Sequence, residues 1–263
     1  MPHPPEPRKR TSKYAVALLL TFGAGLVDIV GYITLFGIFT AHMTGNTVHL
    51  AENVVHFKLG NALTAGVAVA AFLLGSIVGR VIIEVGDRKH IRSIASICLL
   101  LEAALILAFV GLTIHPLRPT GSPAQNADLV LIGVSLLAAA MGAQTATLTR
   151  IGALTVHTTF VTGMLNKFAQ LASHTLFESV PKGGESDGER RERVARRGRK
   201  ARQATFIFAI WLCYLAGAVC GTCLDASWGT HSLFITVGIL GLAIIVDQLR
   251  PLSVEEEHDQ TER

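Results

Sequence analysis

The sequence predicts an all-α polytopic membrane protein, with six transmembrane helices built as two inverted three-helix repeats, each carrying a broken or re-entrant helix segment at a Thr-Gly pair. Three observations predict it. Half of the 263 residues are hydrophobic and only 16% are charged, against roughly 25% charged in soluble domains. The mean hydropathy is +0.47. Apolar stretches long enough to cross a hydrocarbon core of about 30 Å recur along the chain. Finally, Thr40-Ala-His-Met-Thr-Gly-Asn-Thr returns in degenerate form as Thr158-Thr-Phe-Val-Thr-Gly-Met-Leu-Asn, 118 residues later.

Taken in order, residues 1–13 are Pro-rich and basic, with nothing apolar to bury, and read as a disordered tail. The membrane domain then covers 14–248, with repeat one at 14–113 and repeat two at 129–248. Six spans are read at 14–36, 61–79, 93–113, 129–148, 204–224 and 230–246, the last being the shortest. The first has a basic lead-in like a signal peptide, but it is too long and lacks a small-residue cleavage site, so it reads as retained. A loop with Pro116, Pro119 and Pro123 separates the halves, a basic insert occupies 178–203, and an acidic tail closes the chain at 249–263.

Lys and Arg alternate between connections. Arg8, Lys9, Arg10 and Lys13 precede the first span, Arg80, Arg88, Lys89 and Arg92 surround the second connection, and the run that includes Arg190 and Arg202 precedes the fifth span. The other connections are poor in them. The positive-inside rule therefore puts both termini in the cytoplasm. The same rule accounts for the net charge of +4 without a nucleic-acid partner.

Two acids fall inside spans, Asp28 in the first and Glu102 in the third. An intramembrane carboxylate is costly unless paired or facing water. Each reads either as an ion, proton or polar-substrate site or as a carboxyl hydrogen-bonded to a neighbouring helix. Thr44, Gly45 and Asn46 suit a helix break or start, where unpaired backbone N–H groups and the positive dipole end meet a ligand. Thr162 and Gly163 repeat the feature, and Gln144 precedes it in the second half as Asp28 does in the first. Gly75 and Gly79 in the second span, with Gly217 and Gly221 in the fifth, form G-x-x-x-G faces for close helix packing.

Each half thus holds span, Thr-Gly segment, G-x-x-x-G span, span. Two halves with an odd number of spans must insert in opposite senses, and secondary transporters built this way hold their site at the repeat interface, on discontinuous helices. That predicts a substrate site from Asp28, Thr44, Gly45, Asn46, Gln144, Thr162 and Gly163, with Asp28 and Glu102 for ion or proton coupling. The opposing reading has each Thr-Gly pair capping a helix at the surface.

Other chemistry is not indicated. The four cysteines lie inside spans and read as packing residues, Cys220-x-x-Cys223 having no second pair or histidine to complete a metal site. No cofactor is implied. His-Glu-x-x-His does not occur and no Gly-x-Ser-x-Gly string stands in a supporting strand-to-helix context, so no enzyme is expected. The basic run that includes Arg190 and Arg202 can attract anionic lipid headgroups or simply anchor topology.

Gly25-Leu-Val-Asp28, Phe39-Thr-Ala-His-Met-Thr-Gly-Asn-Thr47, Met141-Gly-Ala-Gln144 and Thr158-Thr-Phe-Val-Thr-Gly163 closely resemble the signature of the YoaK family, a domain-of-unknown-function family of bacterial inner-membrane proteins. The resemblance runs from about residue 15 to 248. It implies a multi-pass protein of the bacterial plasma membrane and no established activity. The insert near 182–202 is longer than the connection usual in that family. The expected function is a secondary transporter or exporter of an unidentified small molecule. A passive channel formed by a homodimer, and a non-transporting scaffold or lipid-binding component, are the alternatives.

Overall fold

The computed structural model describes residues 7–114, 127–147, 150–151, 154–155, 159, 161–180 and 184–249. Most of the proline-containing loop between the halves, the acidic tail from 250 on, and Val156, His157, Thr158 and Phe160 of the second motif lie outside the described residues.

The described chain is helical apart from one two-residue hairpin. The helices are α1 (Pro7–Thr34), α2 (Met43–Val55), α3 (Leu59–Arg88), α4 (Ile94–Ile114), α5 (Ala127–Thr147), α6 (Val161–Phe177), α7 (Asp187–Trp228) and α8 (Leu233–Leu249). Strands Arg150–Ile151 and Leu154–Thr155 pair antiparallel between α5 and α6. By length and composition, five stretches can cross a membrane: Ser12–Thr34, Leu59–Arg88, Ile94–Thr113, Ala127–Thr147 and Asp187–Leu249. This is a polytopic all-α membrane protein.

Three boundaries differ most from the sequence reading. The second span, read as 61–79, lies within α3, which runs on to Arg88. Helix α1 starts at Pro7, inside the lead-in read as disordered; proline suits a first helical position, where its missing N–H has no partner to lose. The expected insert from Asp187 on and the fifth span form one helix of 42 residues, about 63 Å long at 1.5 Å per residue. Its start is a capping box, Ser186 with Glu189, and Arg196 pairs with Glu192 one turn earlier at 2.7 Å. Arginine is a good helix former, so nothing in the basic run stops the helix. Only Gly229–Ser232, a short 3-10 turn entered by Gly229 at φ 54, separates α7 from the 17-residue α8.

Glycines set how the helices meet. A Cβ on Gly75 or Gly142 would overlap the carbonyl of Ala139 or of Phe72, so α3 and α5 run backbone to backbone. Gly25 and Gly217 do the same for α1 and α7, against the carbonyls of Tyr214 and Phe22. Both pairs are parallel. Helix α1 is antiparallel to α5, because Gly31 lies beside Leu137 and Gly133 beside Leu35. Helix α2 packs on α3, α6 on α7, α4 on α5 and α8, and α8 on α1.

Gly217→Leu is expected to destabilise by roughly 3 kcal/mol or more, the upper end of overpacking costs, because the obstacle is backbone and cannot rotate away. Gly238, with nothing within 4 Å of its absent Cβ, is the control: Gly238→Ala should be neutral or stabilise by up to about 1 kcal/mol. Thermal melts in detergent compare the two.

Candidate functional site

The chain leaves α1 through a sharp reversal. Phe36 and Gly37 both take positive φ, 55 and 88, and the Gly37 N–H donates to the Tyr32 carbonyl at 2.8 Å, closing the helix in the Schellman manner. The next residues turn back along the helix to Asp28. Asp28 Oδ1 accepts from Thr40 N at 2.8 Å, Thr40 Oγ1 at 2.9 Å and Ala41 N at 2.9 Å. Its Oδ2 accepts from the Tyr214 hydroxyl at 2.6 Å. Asp28 lies six residues before the end of α1, so Thr40 is held about 9 Å down the helix from its terminus.

Asn46 grips the same segment from the other side. It is fully buried, its Oδ1 accepting from Phe39 N at 3.1 Å and its Nδ2 donating to Phe39 O at 2.7 Å. Asp28 and Asn46 thus hold residues 39–41 between them. The residue preceding α2 is His42, which makes no side-chain cap, and the helix starts at Met43. Thr44 therefore sits inside the first turn and is exposed, while Gly45 is half-buried with its missing Cβ facing the His42 and Phe39 rings.

The second motif is anchored on α5. Thr159 is buried and donates to Thr145 Oγ1 at 2.7 Å, because the Thr145 hydroxyl proton is committed to the Met141 carbonyl at 2.9 Å. Thr145 follows Gly142 by three residues as Asp28 follows Gly25. Thr162 is exposed and Gly163 half-buried at the start of α6. The expected face-to-face meeting of Thr44 and Gly45 with Thr162 and Gly163 is not formed, since α2 packs on α3 and α6 on α7. The anchors Asp28 and Thr145 are offset by five to nine residues along the α1–α5 register, roughly 10 Å.

Gln144 is buried where α5 meets α1. Its Nε2 donates to Leu20 O at 3.0 Å and its Oε1 has no partner among the described residues. Leu20 precedes Asp28 by eight residues, about 12 Å along α1, so Gln144 and Asp28 do not share a site.

Glu102 belongs to α4, which packs on α5 and, antiparallel, on α8. At one end Asp247, wholly buried, accepts through Oδ2 from Ser96 N at 2.9 Å and Ser96 Oγ at 2.6 Å. Ser96 lies in the first turn of α4, where a carboxylate also meets the positive dipole end. Gln248 Nε2 donates to Ser96 Oγ at 3.2 Å, and Ser93 Oγ to the Asp247 carbonyl at 3.3 Å. At the other end the Thr230 hydroxyl donates to Thr113 Oγ1 at 2.8 Å, whose own proton goes to Val110 O. On α4, at a level between these two ends, lies Glu102, 0% exposed, with neither carboxyl oxygen partnered among the described residues. The register puts Thr236 of α8, also buried and unpartnered, five residues from the level of Glu102, roughly 7.5 Å.

The pair opens at its Thr113 end. A cavity of about 920 Å³ lies there, lined by Thr34 at the end of α1 and Phe36 after it, Thr113 of α4, and Asp225, Trp228 and Thr230 around the turn into α8. The Asp247 end carries the basic groups: Arg88 and Lys89 close α3, Arg92 precedes α4, and the arginines of α7 follow. There Lys200 Nζ donates to Glu178 Oε1 at 2.9 Å and holds that carboxyl below its usual range. Arg193 is tied to Glu185 and to the Glu178 carbonyl.

Sequence reasoning missed Tyr214, Asp247 and Asp225. Tyr214 was detectable as a hydroxyl in mid-span, which must find a partner. Among the described residues no group of three or more His, Cys, Asp or Glu could hold a metal ion.

A family model described as "Protein of unknown function (DUF1275)" matches residues 16–246. The chain is 29% identical over 162 residues to the UPF0700 transmembrane protein YoaK of Bacillus subtilis (strain 168), covering 60% of this chain and 67% of that protein. No solved structure matches.

Proposed function

This chain belongs to the DUF1275 family of proteins of unknown function, and from that premise and the helix pairing we propose that it is a secondary transporter or exporter of a small molecule, working by alternating access. The chain crosses the membrane six times, with α8 as the sixth crossing, and its two halves are inverted repeats. Exchanging α1 with α5, α2 with α6, α3 with α7 and α4 with α8 carries the main packing pairs into one another, which supports that reading. So do the glycines, since Gly75 and Gly217 each meet a carbonyl on the first helix of the other half. The segments at 35–42 and 159 re-enter the bilayer, held there by Asp28 and Thr145. The basic end faces the cytoplasm of a bacterial cell, by the positive-inside rule.

The observation that carries the proposal is α4 with its partner α8: open to a cavity at one end, locked by Asp247 and Ser96 at the other, and carrying on α4, at a level between these ends, a carboxyl unpartnered among the described residues. Glu102 lies about 16 Å from Thr113 and about 9 Å from Ser96 along α4. A buried acid with no partner is where a proton is taken up and released as the two ends open in turn. Asp28, Asn46 and Gln144 hold the framework against which α4 and α8 move, and Thr44, Gly45, Thr162 and Gly163 start the two short helices that flank it. The basic extension, with exposed Arg190, Arg197 and Arg202, rests on anionic headgroups, each base near the surface contributing about 1 kcal/mol.

Single cysteines at 44 and 162, in a background with Cys98, Cys213, Cys220 and Cys223 replaced, are expected to react with impermeant reagents from opposite sides of sealed vesicles. Their reactivities should change in opposite directions when a transported compound is added. Labelling of both from one side would overturn the inverted arrangement.

A further inference from the structure

We propose that the cavity at the Thr113 end binds a small organic ammonium ion, with Asp225 as counter-charge and Trp228 as aromatic wall. Asp225 stands in the last turn of α7, where the dipole is negative and a carboxylate is misplaced unless a cation answers it. Among the described residues no hydrogen bond or ion pair engages its side chain, and its carbonyl accepts the Gly229 N–H that ends the helix. Neighbouring His231 is turned to the backbone, Nδ1–H donating to Trp228 O at 3.1 Å. The cavity holds no Lys or Arg among its lining residues.

The class of cation follows from what stands beside the carboxylate. A bare metal ion needs several strong oxygen or nitrogen ligands at close range, and among the described residues no three His, Cys, Asp or Glu come together to supply them, Asp225 being the one carboxylate in the lining. An ammonium ion with an organic body needs one counter-charge, an aromatic face within about 6 Å and room. Trp228, 58% exposed, and Phe36 supply the rings, and about 920 Å³ is ample volume. The hydroxyls of Thr34, Ser227 and Thr230 also line the cavity, and suit N–H or O–H groups on the bound molecule.

The inference deepens the transport reading, whose entrance this cavity is, but it is tested where no gradient exists. Choline and tetramethylammonium are titrated into the purified full chain in detergent, by calorimetry and by Trp228 fluorescence in a Trp211→Phe background. Saturable binding is expected, weakened at least tenfold in Asp225→Asn and in Trp228→Ala and retained in Asp225→Glu, with melting temperatures confirming that each variant is folded. Absence of saturable binding, equal affinity in Asp225→Asn, or displacement by sodium or calcium as readily as by choline would overturn it. Gradient-driven uptake of some compound into liposomes without ammonium binding would remove this assignment and leave the transporter standing; binding without any uptake would do the reverse.

Discussion

Asp28→Ala is expected to lower folding stability by about 3 kcal/mol or more and to free the segment between α1 and α2. Four donors converge on this carboxyl, three of them from Thr40 and Ala41 and one from Tyr214. In a hydrocarbon environment no water replaces the lost acceptor. Each donor left buried and unpaired costs roughly 1–3 kcal/mol. Asp28→Asn should cost less, because its Oδ1 still accepts from the loop while its Nδ2 turns toward the Tyr214 oxygen, which can accept. Tyr214→Phe alone should lose only about 1 kcal/mol, and the double mutant should show coupling, since the two side chains touch. Thermal unfolding measures the sizes, and protease sensitivity at 38–42 reports the freed segment. An Asp28→Ala protein that melts and resists protease as the parent does would show that the clasp holds nothing.

Glu102 should behave in the opposite way. Glu102→Leu is expected to raise stability, by roughly 1–3 kcal/mol, because it replaces a buried polar group without partners among the described residues by an apolar one of similar volume. Transport driven by a proton gradient into proteoliposomes should fall to background in the same protein. Glu102→Gln should also abolish coupled uptake, with stability within about 1 kcal/mol of the parent. Gain of stability together with loss of function is the signature of a group kept for its chemistry. A Glu102→Leu protein with undiminished gradient-driven uptake would remove the coupling role. One that is strongly destabilised would reveal a structural partner for the carboxyl.

The parts of this fold that could be read from the sequence are those with local or periodic signals. Apolar length located the crossing helices, and Gly75, Gly79, Gly217 and Gly221 stood out by spacing. Asp28 and Glu102 stood out because acids are rare in such helices. The partners of these residues could not be read, because they are far away in the chain: Tyr214 is 186 residues from Asp28, and Asp247 is 151 from Ser96. Asp247 also falls one residue past the sixth apolar stretch and so looked like the edge of a span. The Thr-Gly segments were read as helix starts offering free N–H groups to a ligand. The structure does start α2 and α6 there, and it uses the residues before them, Thr40 and Thr159, as anchors, a role that hydroxyls at those positions do not announce. The basic stretch at 178–203 was read as a separate insert because its charge differs from the membrane segment it joins. Helix propensity, indifferent to that change, carries α7 straight through.

The crossed pairing of the halves bears on how the molecule is made. Gly25 and Asp28 are synthesised long before Tyr214, the residue that completes their surroundings. At 5–20 residues per second, a typical pace of translation, the 186 residues between Asp28 and Tyr214 take roughly 10 to 40 s to emerge. Through that interval the nascent N-terminal half waits in or beside the insertion machinery with a groove that nothing of its own can fill. The earliest helix is therefore closed late in synthesis, and a chain that ends before α7 leaves the Gly25 seam of α1 unfilled.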